Sequence, residues 1–332
     1  MSNPKYSIII PVFDRPDEMR EMLDSLASQT QRLFEIILVE DGSELRSDFL
    51  VDQYDLPIRY YYKPNSGPGD SRNFGMEKAS GDYLLFFDSD CVLPANYFEK
   101  LDEALLEHSP DAFGGPDSAH PSFSTVQKAI NYAMTSFFTT GGIRGGKKQL
   151  DTYQPRSFNM GFSRAVYDKI GGFSDIHPGE DPDLSFRIMK AGFKIALIGE
   201  AFVYHKRRID FNKFFKQVYK FGVVRVILNR WHPGTSKLVY FLPSVFLIGV
   251  TGLFALSFLT SGMSLIPLVC YGGLIFLDAV RKNSLRVAMM AVPASFIQLI
   301  GYGVGFIRSQ LKLNLLGQSE RTAFPSFFFT KK

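Results

Sequence analysis

Along the first ninety residues, short apolar runs alternate with amphipathic stretches. Tyr6–Val12 (YSIIIPV) is a continuous β-rich run, the pattern of a strand buried on both faces as in the middle of a parallel sheet. Residues 15–28 then place Met19, Met22, Leu23 and Leu26 on one helix face, with Asp14 or Asp17 near the start. Residues 34–39 and 58–62 read as two more buried strands, separated by a polar helix-or-loop stretch to Tyr54. Residues 69–79 suit a helix, and YLLFF at Tyr83–Phe87 a fourth short strand. This alternation predicts βαβ units, hence an α/β, Rossmann-like, mostly parallel sheet.

Residues 112–203 are less regular. Glycine pairs at Gly114-Gly115, Gly141-Gly142, Gly145-Gly146 and Gly171-Gly172 predict turns or loops. One helix is predicted over residues 181–191, where Leu184, Ile188 and Met189 share a face and Gly192 supplies the stop. After His205 the pattern changes twice. Residues 211–231 mix Phe214, Phe215, Tyr219, Val223, Val224, Ile227 and Trp231 with basic residues, the composition of an amphipathic helix in the headgroup layer or of a surface helix packed on a core. The membrane interface is favoured because residues 238–259 follow as about 22 residues without a charge, long enough to span. Residues 266–280 are shorter and contain Asp278, and residues 287–307 again have spanning length. The expected organisation is a nucleotide-binding domain over 1–209, an amphipathic region over 210–235, two to three membrane helices over 236–310 and a tail over 311–332.

Composition supports a membrane: the chain of 332 residues is 45% hydrophobic with 32 phenylalanines, and the excess lies in its last hundred residues. A net charge of +4 is too small to argue for nucleic acid, but Lys206, Arg207, Arg208, Lys213, Lys216, Lys220, Arg225 and Arg230 form a local basic band. Cys91 sits beside acidic residues and Cys270 in an apolar run, so no disulfide framework is expected and a reducing compartment fits. The polar start precedes an apolar run too short for a signal peptide, so the first domain is expected in the cytoplasm. The loop at residues 259–264 has no basic residue, whereas Arg281, Lys282 and Arg286 follow the second apolar segment, which gives the same orientation. Arg308, Lys312, Arg321, Lys331 and Lys332 conflict with a third full span, so the last apolar segment is left as re-entrant, interfacial or part of a tight helical pair.

Open parallel sheets bind ligands beyond the carboxyl ends of their strands. Here those ends deliver Pro11 to Arg15, then Glu40-Asp41-Gly42-Ser43, then Asp88-Ser89-Asp90. Asp88 and Asp90, one residue apart at a turn, can share a divalent cation; hard oxygen ligands suit Mg²⁺ or Mn²⁺, whose shell is usually completed by substrate phosphates. Residues 65–75 (NSGPGDSRNFG) form a glycine-bearing turn into a helix with Arg72 near its start, an arrangement that attracts phosphate or ribose oxygens or serves as a plain cap.

The series SIIIPVFDR (7–15), EDGS (40–43), GPGDSRNFG (67–75), FFDSDC (86–91) and GEDPDLSFR (179–187), in this order, resembles the family 2 glycosyltransferases of the GT-A fold, in their membrane-attached bacterial branch. The resemblance implies that Pro11, Phe13 and Arg15 border the nucleotide base, that Asp41 accepts hydrogen bonds from base or ribose, and that Arg72 steadies the nucleotide. Asp88 and Asp90 become the DxD pair, with Asp90 the direct metal ligand and Asp88 leaning toward the ribose. Asn159 and Gly161, in NMGF, line the sugar and acceptor pocket. Glu180-Asp181 becomes the xED motif with Asp181 as catalytic base, and His205 completes the metal shell. A helix N-terminus would keep Asp181 deprotonated.

These roles imply an inverting, metal-dependent glycosyltransferase. Its donor is a UDP-, GDP- or dTDP-sugar and its acceptor a hydroxyl on a lipid-linked or other membrane acceptor. It works among membrane lipids at the cytoplasmic face of a bacterial inner membrane, with no nucleic-acid partner and with self-association as a homo-oligomer left open. A polyprenyl-phosphate sugar synthase is the runner-up, because its ionised acceptor needs no base. A non-catalytic membrane accessory protein would be free to lose Asp90 or Asp181, and a nucleotidylyltransferase should carry a glycine-rich loop where Pro11 to Arg15 has none.

Overall fold

The computed structural model of the chain describes residues 5–118, 123–141, 153–206 and 210–329. Gly142, Gly145, Gly146, Arg207, Arg208, Lys331 and Lys332, which the sequence analysis used, lie outside the described residues. The chain divides into two compact units, one of Met1–His120, Thr152–Lys206 and Ser326–Lys332, the other of Pro121–Asp151 and Arg207–Pro325. The units are therefore not the contiguous blocks expected: an internal segment joins the second, and a late one returns to the first.

The first half of the sheet-bearing unit contains β1 (Tyr6–Val12), α1 (Pro16–Ala27), β2 (Phe34–Asp41), β3 (Ile58–Lys63), α2 (Pro68–Lys78), β4 (Tyr83–Phe87), β5 (Cys91–Val92), α3 (Tyr97–His108), β6 (Ala112–Gly114) and β7 (Asp117–Ser118). After the helices α4 (Thr125–Thr135) and α5 (Phe137–Thr140) of the other unit, it resumes with β8 (Asn159–Ser163), α6 (Arg164–Ile170), α7 (Glu180–Lys190), β9 (Ile195–Leu197) and β10 (Val203–His205). Its seven-stranded sheet runs β3-β2-β1-β4-β8-β6-β9, with β8 antiparallel to both its neighbours. The other pairings are parallel, so the mostly parallel α/β sheet expected from the apolar runs is present. A small sheet, β5-β10-β7, sits at the exit of β4.

The two-residue alternation of each strand builds two cores. Ile8, Ile10, Ile36, Leu38, Leu85 and Phe87 face one side, against Met19, Met22, Leu23 and Leu26 of α1 and Leu101 and Leu105 of α3. Ile9, Ile37, Val39, Leu84 and Phe86 face the other, against Met76 of α2 and Leu184 and Ile188 of α7. Both faces are covered, which is why these runs carry no polar alternation. Helix α3 went unread in the sequence, although Tyr97, Phe98, Leu101 and Leu105 have helical spacing and are buried.

In the helical unit α8 (Phe211–Trp231), α9 (Leu242–Ser257), α10 (Ile266–Lys282), α11 (Leu285–Gln310) and α12 (Glu320–Ala323) join α4 and α5. Helix α4 lies in the stretch read as irregular. Ser124 accepts from the Gln127 amide while the Gln127 side chain accepts from the Ser124 amide, a capping box spelled in the sequence. Helix α8 has the amphipathic character expected, with Lys213, Lys216 and Lys220 exposed. Its apolar face, however, meets protein: Phe214, Val218, Val223 and Ile227 are buried, and α8 packs on α11 and α4. At Gly222 a Cβ would lie 2.1 Å from the Tyr302 carbonyl oxygen, so only glycine permits that approach. Three segments, Leu238–Ser257, Met263–Lys282 and Leu285–Leu315, are helices long and apolar enough to cross a membrane. Asp278, the charge inside the second, accepts from Tyr132 at 2.7 Å and from Lys282 at 2.9 Å.

Candidate active site

The turn after β1 is pinned before it reaches the site. Asp14 takes a left-handed φ of 52°, donates its amide to Ser43 Oγ at 2.8 Å, and accepts from the Glu44 and Leu45 amides at 2.8 and 2.9 Å. Ser43 is itself held by buried Glu40. This anchors the residue between Phe13, which is 50% exposed, and Arg15, whose Nη1 reaches Asp90 Oδ2 at 2.7 Å. Pro11 is half-buried within β1.

Asp41 at the end of β2 has its oxygens engaged locally. Oδ1 accepts from Lys63 Nζ at 2.7 Å and the Ser66 amide at 3.0 Å, and Oδ2 accepts from the Gly67 amide at 2.9 Å. It acts as the clamp of the loop that leads into α2. Gly67 caps that helix with a φ of +92°, and a Cβ there would lie 2.4 Å from the Phe329 ring. One turn into α2, Arg72 is only 3% exposed. Its Nη2 bonds Asp88 Oδ1 at 2.7 Å, and its Nη1 lies 3.3 Å from Glu180 Oε1. Burial would lower the Arg72 pKa, but the charges of Asp88, Asp181 and Glu180 outweigh it and hold the group above its ordinary value.

The exit of β4 turns Asp88 and Asp90 toward β10. His205 Nε2 lies 3.1 Å from Asp90 Oδ1 and 3.9 Å from Asp88 Oδ2. Asp90 Oδ1 is buried without an aligned hydrogen bond among the described residues, and the His205 ring is stacked on Phe158 with centroids 4.8 Å apart. Burial pushes the Asp90 pKa up, but His205 and Arg15 overcome this and hold the carboxyl well below its usual range. Cys91 Sγ also lies near these atoms; it donates to the Phe158 carbonyl at 3.4 Å, and burial and Asp90 raise the thiol well above its ordinary pKa. The hard carboxylate oxygens of Asp88 and Asp90, with the imidazole nitrogen of His205 beside them, fit a divalent cation of the Mg²⁺ or Mn²⁺ type.

At the other end of Arg72, α7 opens with Glu180 and Asp181. Glu180 is buried and accepts from His177 Nδ1 at 2.9 Å. Burial raises the Glu180 pKa, but His177 and Arg72 prevail and bring it down to about 2. Asp181 retains an accessible edge, yet its Oδ1 is sealed and has no hydrogen-bond partner among the described residues. The helix terminus was expected to keep it deprotonated at neutral pH. Burial and then the charge of Glu180 raise its pKa to about 6, against the opposing charges of Arg72 and Arg156. At neutral pH it is still largely ionised, now with the basicity a proton acceptor needs.

Arg15, Arg72, Asp88, Asp90, His205, Glu180 and Asp181 thus form one connected site, while Asp41 clamps the loop before α2 and two further predicted residues pack within the sheet. Asn159 is buried, accepting from Tyr97 at 2.6 Å and donating to the Ala201 carbonyl at 2.8 Å. Gly161 lies inside the sheet, where a Cβ would meet the Phe113 ring at 2.4 Å. Both expected pocket-lining roles give way to sheet packing. Conversely, His177 and Phe329 went unread. The Phe329 amide donates to the Asp175 carbonyl at 3.0 Å, and the His177 amide to the Phe327 carbonyl at 2.7 Å, so this late segment straps the turn that presents Glu180. The signal for His177 was its place three residues before Glu180; no local signal marked Phe329.

Residues 7–171 match the family model described as glycosyl transferase family 2. Residues 7–171 form a glycosyl transferase family 2 domain. It is 32% identical over 144 residues to an uncharacterized glycosyltransferase of Rickettsia felis, an alignment covering 42% of this chain and 23% of that protein. It is 31% identical over 142 residues to one of Haemophilus influenzae, covering 40% of this chain and 57% of the relative. The matched region is thus under two thirds of each relative's length. Among solved structures, a mannosyltransferase from Pyrobaculum calidifontis in complex with GDP-Man and Mn²⁺ aligns over 96% of this chain and 89% of its own with a TM-score of 0.58. At 14% identity this likeness shows the GT-A-type fold of the family.

Proposed function

We propose that the sheet-bearing unit, expected as the nucleotide-sugar transferase domain, moves a sugar from a nucleoside diphosphate sugar to an acceptor hydroxyl with inversion. The observation that carries this reading is the continuous run from His177 through Glu180 and Arg72 to Asp88: it ties Asp181, the neighbour of Glu180 and the carboxylate suited to accept a proton, to the carboxylates suited to a cation that a diphosphate would share. Asp181 takes the proton from the acceptor hydroxyl as the oxygen attacks the anomeric carbon. Arg72 steadies the departing diphosphate, and Phe13, half exposed at the end of β1, borders the base. Asp90, Asp88 and His205 would hold the cation, which when bound neutralises charge developing on the leaving group. The archaeal mannosyltransferase of similar fold carries a donor and a cation of these classes. One displacement inverts the anomeric centre, with no carboxylate nucleophile required.

The three apolar helices and the basic residues around them support a membrane-associated, lipid-linked acceptor at the cytoplasmic face of a bacterial inner membrane. A polyprenyl-phosphate acceptor is the second reading. An Asp181 pKa near 6 favours the hydroxyl, since a phosphate acceptor gives such a base nothing to do. The test is Asp181→Asn: it should keep donor binding and lose about 10²- to 10⁴-fold in transfer. Transfer at the normal rate would move the acceptor reading to phosphate.

A further inference from the structure

Arg15 does more than border a base. Its guanidinium lies 2.7 Å from Asp90 Oδ2, on the carboxylate best placed to hold a cation, and Asp90 is only 12% exposed. Three hydrogen bonds to Asp14 fix the residue beside it, and Pro16 starts α1 on the other side, so the root of Arg15 is rigid. Its side chain is 38% exposed, which leaves it open to solvent. A divalent cation approaching Asp90 alone meets a positive charge already seated there, with little water to screen the repulsion. A nucleoside diphosphate changes the balance, because it brings oxygens that bind the cation and can also receive the displaced guanidinium.

We propose that Arg15 is a resident counter-cation that keeps bare divalent metal off Asp90, so that the cation enters together with the nucleoside diphosphate. Arg15 then acts as a positioning residue whose release from Asp90 accompanies donor entry. The proposal rests on the metal and donor reading above.

The test is Mn²⁺ titration of the full chain followed by electron paramagnetic resonance, without nucleotide and then with UDP, GDP or dTDP. Wild type should bind bare Mn²⁺ weakly, and Arg15→Gln should bind it about fivefold or more tightly, the effect of losing one partly exposed ion pair. Arg15→Lys, which keeps the charge, should stay near wild type, and with nucleotide the advantage of Arg15→Gln should vanish or reverse. Bare Mn²⁺ binding that is unchanged or weaker in Arg15→Gln would overturn the proposal while leaving the metal reading standing. Failure of wild type and variant alike to bind Mn²⁺ with UDP, GDP or dTDP would overturn both.

Discussion

Replacing Arg72 by methionine keeps an unbranched apolar stem and removes the charge that joins Asp88 to Glu180. Lowering the Glu180 pKa from 4.5 to about 2 corresponds to about 3 kcal/mol of stability at neutral pH. His177 is a larger source of that shift than Arg72, so the arginine accounts for roughly 1 kcal/mol of it. The bond to Asp88 adds less than about 1 kcal/mol, because that carboxylate is 34% exposed and solvent screens it. Glu180 keeps His177, so the full penalty of stranding a buried charge, about 3–5 kcal/mol, is not reached. The sum is about 2 kcal/mol, a fall in melting temperature of roughly 4–8 °C for a unit of this size, read by circular dichroism on the detergent-solubilised protein. Because the Glu180 pKa is lower folded than unfolded, its stabilisation is complete above the unfolded value and disappears as pH falls through about 2. The unfolded value is common to both proteins, so the gap between wild type and variant should hold at about pH 4 and narrow as pH falls toward about 2. Asp181 also loses an opposing charge, so the acid limb of turnover should move above its wild-type position near pH 6. Equal melting at neutral pH together with an unmoved acid limb would refute the view that Arg72 holds the carboxylates together.

In the wild type, turnover with a hydroxyl acceptor should fall about tenfold per pH unit below about 6, as Asp181 takes up a proton, and the Asp181→Asn variant should lack that limb. A wild-type profile flat from pH 7 to 5 would remove Asp181 as the base. Phe329→Ala should lower turnover several-fold with donor KM and melting temperature little changed, since the ring seats Gly67 and its backbone straps the turn before Glu180. A fall in melting temperature that tracks the loss of activity would reduce the strap to simple packing.

The sheet was legible because its strands are buried on both faces, which leaves unbroken apolar runs such as YSIIIPV and YLLFF. The acidic turns at their ends could be read because they follow those runs directly. Three things could not be read from local pattern. Asn159 and Gly161 sit in a motif that looks like a pocket wall, but β8 lies between β4 and β6, and its side chains serve the sheet. The pKa of Asp181 is raised by its burial and then by the charge of Glu180, against Arg72 and Arg156, and that burial is set by the tertiary fold. Phe329 reaches the site only through tertiary folding, far along the chain from Gly67. Helices α3 and α4 are a different case: their apolar spacing and the S-x-x-Q cap were present and went unread.

The central claim is that Asp88, Asp90 and His205 hold a cation that binds the diphosphate of the donor. Calorimetric titration of UDP, GDP and dTDP into the full-length protein, with Mn²⁺ and then with EDTA, tests it most directly. At least one of the three should bind about tenfold or more tightly with Mn²⁺, and Asp90→Ala should abolish that gain while keeping the wild-type circular dichroism spectrum. Nucleotide binding of equal strength in EDTA, or a Mn²⁺ effect that survives Asp90→Ala, would contradict the account.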